Sequence, residues 1–231
     1  LRQSPGKVLL FTGWQDGAML RSSFHLMDVL GQQAKLVVGP WGHGIRITTD
    51  PYAKAHRGRI YDRPRPLMLQ FFDYHLRGDT TNGYAQIPRV RWFRQGPDGG
   101  NWQTSNTWPP EDATPSTYYL SANHKLTEEK GVVQTGQVTY AVDTTWTSGS
   151  ASRWDILAAA MRKSAFPGLQ RGPDSLLVAW RSNPLKRPRT LAGSPQVQLQ
   201  LSVDKPDAGL HVILVDEAPD GHRVPLTRGV L

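Results

Sequence analysis

Up to about residue 87 the apolar positions fall in short unbroken runs or at helical spacing; beyond it they alternate with polar ones. Lys7–Thr12 (KVLLFT) lies between Gly6 and Gly13, and Ala34–Val38 (AKLVV) ends at Gly39-Pro40. Short apolar runs bounded by such breakers predict strands buried on both faces. Between them Leu20, Phe24, Met27 and Leu30 recur at helical spacing within Ala18–Leu30, and Gly31 ends the run. Pro66–Gly78 (PLMLQFFDYHLRG) predicts a second helix, with proline in its first turn, Arg77 in its last and Gly78 just after. Strand, helix, strand, helix in that order predicts an α/β layer on a parallel sheet.

After Pro88 the period is two. PRVRWFR, STYYL, SLLVAWR, PQVQLQLSV and LHVILVDEA are strand candidates, separated by the turn signals GPDGGN, WPPED, AGSP, DKPDAG and APDGH. Val197–Val203 alternates cleanly, which predicts one buried and one wet face. Ser152–Lys163 reads as a helical insertion, and Leu231 falls within a strand pattern, so the β region is expected to continue. Two parts follow: 1–87, an α/β portion, and 88–231, an all-β sandwich or jelly-roll.

Composition narrows this little. The 231 residues include 22 Gly, 18 Pro and 8 Trp, which suits a loop-rich β protein. Cysteine is absent, which excludes disulfides, thiolate metal sites and a cysteine nucleophile. No apolar run reaches the roughly 20 residues of a membrane-spanning helix, so no membrane partner is expected. The net charge of +8 raises nucleic-acid binding as a reading. Yet the basic stretches Arg57–Pro66 and Lys186–Arg189 match no recognisable nucleic-acid-binding pattern, and a solvated surface is expected. No nucleic-acid partner is expected.

Each strand of the α/β portion ends in a special loop: TGWQDG (Thr12–Gly17) and GPWGHG (Gly39–Gly44). Catalytic groups collect at the carboxyl ends of parallel strands. Asp16 and His43 both belong there, on strands expected to be neighbours. An imidazole acting as a base needs a partner that fixes its tautomer and stabilises the imidazolium, and a carboxylate can do both. Acid before histidine is also the chain order of α/β-hydrolases, in which the serine comes first.

Several stretches together resemble one family. They are GWQD around Asp16, LVVGPWGHG around His43, FFDYHLRG (Phe71–Gly78), VRWF from Val90, Trp102 with Trp108–Pro110, and YYL from Tyr118. SRWD from Ser152, AWRSNPL (Ala179–Leu185), AGSPQVQLQLS and LVDEAPDG complete the set. The chain resembles the carboxyl-terminal half of the X-prolyl dipeptidyl-peptidase and cocaine-esterase-like serine hydrolases, a family that also includes α-amino-acid ester hydrolases and glutaryl acylases. The resemblance implies an α/β-hydrolase carboxyl-terminal portion followed by a galactose-binding-like jelly-roll. It makes Asp16 the triad acid and His43 the triad base. No G-x-S-x-G occurs in the chain, so the nucleophile, the oxyanion hole and the pockets that choose the substrate are expected upstream. The chain is expected to be a fragment, inactive alone.

Trp14 and Trp41 flank the pair and either wall a substrate pocket or pack beneath its loops. His25 and His75 are expected to be structural, His56 solvated, and Asp73 structural without a nameable partner. No histidine pair or acidic cluster has metal-binding spacing, so neither a metal nor a cofactor is expected. The leading reading is a serine hydrolase taking a small ester, amide or peptide. The alternative is a β-sandwich module that binds carbohydrate or another partner. Association with further copies of the chain stays open.

Overall fold

The protein is described by a computed structural model covering residues 6–17, 19–43, 50–52, 64–133, 135–143, 145 and 177–231. Strands β1 (Val8–Gly13) and β2 (Ala34–Gly39) pair in parallel, from Val8 opposite Ala34 to Gly13 opposite Gly39. Helix α1 (Leu20–Leu30) connects them. It ends at Gly31, whose φ of 55° suits a residue without a Cβ. Ala18, the expected first residue of this helix, lies outside the described residues. Helix α2 (Arg65–Leu76) carries proline in its first turn, as its sequence predicts.

The change of period at Pro88 is not a change of sheet. Strand β3 (Val90–Arg94) pairs in parallel with β2, and β4 (Asn101–Ser105) pairs antiparallel with β3. The four form one sheet in the order β1-β2-β3-β4. The boundary expected between 87 and 88 therefore lies inside a sheet. Polar residues give β3 its alternation, but Phe93 on its second face is 3% exposed, so both faces are covered. Arg91 is accommodated by lying over the Trp102 ring, 4.5 Å from its centroid.

Strand parity sorts the core. Ala34, Leu36, Val38, Val90 and Trp92 face the side packed by Met27 and Leu30 of α1. Val37, with Leu9 and Phe11, faces the side packed by Leu67 and Phe71 of α2 and by Tyr84. Leu36 and Val38 are at most 1% exposed; burying such a side chain is worth about 1.5–3 kcal/mol.

Among the described residues the later strands pair only in twos. β5 (Tyr119–Leu120) pairs with β6 (Leu126–Thr127), and β7 (His211–Glu217) pairs with β8 (Arg223–Val230). The described part of SLLVAWR, 177–181, makes only an isolated bridge from Arg181 to Lys125. Residues 197–203 form no strand, and Val197, Leu201 and Val203 are each more than half exposed. Alternation alone does not make a strand; a partner must complete the ladder, and none does so among the described residues. The sandwich expected from the turn spacing is thus not assembled among them, and the expected helical insertion 152–163 lies outside them.

Candidate active site

The two special loops meet because β1 and β2 end side by side. The Trp14 N–H donates to the Gly39 carbonyl (3.0 Å), and the Gln15 N–H donates to the Trp41 carbonyl (3.2 Å). Glycine allows the approach: a Cβ on Gly13 would stand 1.9 Å from the Trp41 carbonyl oxygen, and one on Gly39 2.2 Å from the Trp41 ring. The Asp16 N–H closes a tight turn onto the Gly13 carbonyl (3.0 Å), and the Asp16 carbonyl accepts the first helical N–H, that of Leu20 (2.9 Å). Asp16 is thereby pinned between β1 and α1.

Asp16 is 6% exposed. His43 Nδ1 lies 3.3 Å from each of its carboxylate oxygens. The bond is shared and longer than the usual 2.9–3.0 Å, a length common where substrate is absent. A carboxylate at Nδ1 selects the tautomer with its hydrogen there and leaves the Nε2 lone pair free. The side chains are unequally covered, 8% exposed for Asp16 and 42% for His43, so the acid is sheltered and the imidazole can be reached. Beyond His43 the chain is tied to β7, where the Tyr52 hydroxyl donates to Asp216 (2.8 Å). Burial and that hydrogen bond push the Tyr52 phenol well above its usual pKa.

Trp41 is 2% exposed and packs on Trp102. Trp14 donates its indole N–H to the Phe93 carbonyl (2.7 Å), stacks with Phe24 and packs at a tilt against Trp108. It anchors the acid's loop to β3. His25 is exposed and His75 half-buried, whereas His56 lies outside the described residues. Asp73 has a partner four residues on, Arg77, at 3.1 Å. Most of the Arg57–Pro66 stretch is outside the described residues, and Arg189 of the other basic stretch is held by Glu128 and Tyr118. No group of three or more His, Cys, Asp or Glu could hold a metal among the described residues.

The sequence marks Gly13 and Gly39 only as strand ends, although the room they leave for Trp41 makes the geometry. The visible sign was a glycine closing each of two adjacent apolar runs.

Residues 82–231 match the model of the X-Pro dipeptidyl-peptidase C-terminal non-catalytic domain. The chain belongs to that family. It corresponds to the carboxyl-terminal portion of the X-Pro dipeptidyl-peptidase and cocaine-esterase-like proteins. A Mycobacterium bovis protein provisionally named a serine esterase is 29% identical over the whole chain, which covers 36% of that relative. The cocaine esterase of a Rhodococcus species is 26% identical over 97% of the chain and 40% of the relative. The chain thus spans little more than a third of the length of these curated relatives. The crystal structure of an aminopeptidase from a marine-sediment Thaumarchaeota archaeon shares the fold, with a TM-score of 0.67 and 23% identity over 97% of the chain and 39% of that structure. Asp16 and His43 precede the stretch matched by the family model.

Proposed function

We propose that the chain supplies the acid and the base of a serine hydrolase that cleaves ester or amide bonds. The carrying observation is the 3.3 Å approach of His43 Nδ1 to a buried carboxylate. In this reading His43 Nε2 takes the proton of a serine hydroxyl supplied by the rest of the longer protein, then returns it to the leaving group. Asp16 holds the ring and stabilises its cation. In this reading the parallel β1–α1–β2 unit belongs to the carboxyl-terminal part of an α/β-hydrolase layer. The hydrolase names of the relatives support this reading.

The test is the full-length protein assayed with a p-nitrophenyl ester and an X-Pro p-nitroanilide, wild type beside His43→Gln. Loss of turnover by several orders of magnitude with unchanged circular dichroism is expected. Turnover within a few-fold of wild type would sink the reading.

A further inference from the structure

At the opposite end of the same strands lies a cleft of about 250 Å³, lined by Lys7, Gln32, Lys35, Tyr74, His75 and Tyr84 among others. Lys7 immediately precedes β1, and Lys35 stands opposite Leu9 near the start of β2. Asp16 and His43 follow the other ends of these strands, roughly 15–20 Å away by strand rise. No carboxylate lines the cleft among the described residues.

Among the described residues its charges are uncompensated. The Lys35 ammonium donates to the carbonyls of Tyr84 (2.8 Å) and Ile87 (2.5 Å) and lies 4.4 Å from the centroid of the Tyr84 ring. These partners are dipoles and a ring face, so the full positive charge persists in a half-buried place; that desolvation lowers the Lys35 pKa. Lys7 makes no hydrogen bond or ion pair among the described residues. His75 is held by ring edges, its centroid 4.8 Å from Phe71, 4.9 Å from Tyr74 and 5.3 Å from Tyr84. Neither of its nitrogens has a hydrogen-bond partner among the described residues. Burial lowers its pKa, and so do the charges of Lys7 and Lys35, which places both cations within electrostatic reach of the ring.

We propose that this cleft binds a small oxyanion, a carboxylate or phosphate group, seated between Lys7, Lys35 and the His75 ring. Among the described residues, two cations and an unpartnered imidazole converge on a concave surface without a counter-charge, and an oxyanion accepts from all three. The Tyr74 and Tyr84 rings form a wall that suits a small organic body carrying the charge. This site is independent of the Asp16–His43 pair and of the hydrolase reading.

The test is NMR of the His75 ring in the full-length protein, assigned with His75→Gln. Sodium phosphate and sodium acetate are titrated separately, each against sodium chloride at matched ionic strength. A saturable shift with either oxyanion beyond that of chloride is expected; the stronger arm tells phosphate from carboxylate. Lys7→Gln, an exposed change that spares the core, should weaken saturation about tenfold through loss of one charge-assisted hydrogen bond. Shifts no larger than those of chloride overturn the proposal, and so does saturation unchanged in Lys7→Gln.

Discussion

Asp16 and His43 are 27 residues apart in sequence, yet the histidine Nδ1 is 3.3 Å from both oxygens of the acid. The turn at the end of β1 buries the carboxylate, and the loop at the end of β2 leaves the imidazole accessible. Acid and base thus differ in exposure while remaining in contact.

Asp16→Asn tests what the acid contributes. The amide keeps the shape but no longer selects the tautomer with hydrogen on Nδ1. In the full-length protein kcat should fall by about 10⁴-fold with little change in KM. Steady-state kinetics on an activated ester checks this; a comparable rise in KM at constant kcat would instead mark Asp16 as a binding residue.

Gly39→Ala should disturb the site through packing. The new Cβ would stand 2.2 Å from a Trp41 ring that is 2% exposed. Overpacking of this kind costs about 1–3 kcal/mol, a fall in Tm of several degrees for a chain of this size. Thermal unfolding followed by tryptophan fluorescence reads it directly.

Trp14→Phe separates support from substrate contact. The variant keeps a ring against Phe24 and Trp108 but loses the 2.7 Å bond to the Phe93 carbonyl. A loss of about 1 kcal/mol in unfolding free energy is expected, with KM unaltered. A raised KM at unchanged stability would make Trp14 a pocket wall after all.

His75 should make stability depend on pH. Its pKa in the folded protein is below the ordinary 6.5, first through burial and then through Lys7 and Lys35. Between the two values the unfolded chain holds the proton and the folded one does not, so stability rises with pH through that window. It is complete above 6.5 and lost as the pH falls below it. The urea midpoint, measured at about pH 7.5 and about pH 5.5 in buffer free of phosphate and carboxylate, should drop more in wild type than in His75→Gln. Equal drops would remove His75 as the cause.

Much of this was legible in the residues alone. KVLLFT and AKLVV form β1 and β2 to within one residue at each end, because short apolar runs between glycines leave the backbone few other ways to be buried. Asp16 and His43 were legible for a related reason. Parallel neighbours deliver their carboxyl ends to one place, so a polar residue after each strand implies a meeting.

The same local patterns were silent or misleading wherever a partner decided the outcome. VQLQLSV alternates as well as any strand here, but its ladder needs a second strand that no local pattern names, and among the described residues it has none. VRWF reads as the start of a β domain, but it adds to the sheet of β1 and β2, because Val90 and Trp92 extend the apolar face that α1 packs against. Trp14 and Trp41 looked equally fit to wall a pocket. Their neighbours, the Phe93 carbonyl for one and a glycine-cleared space under Trp102 for the other, are set by residues far away in the chain. Lys35 is the plainest case. In sequence it is one charge inside an apolar run; its meeting with His75 and Tyr84 depends on how α2 and the 84–86 turn pack across β2. Local periodicity and breakers mark which segments can become elements, since those effects act within a few residues. Which faces meet, and which charges stay uncompensated, depends on contacts between residues far apart in the chain, and only the tertiary structure decides those.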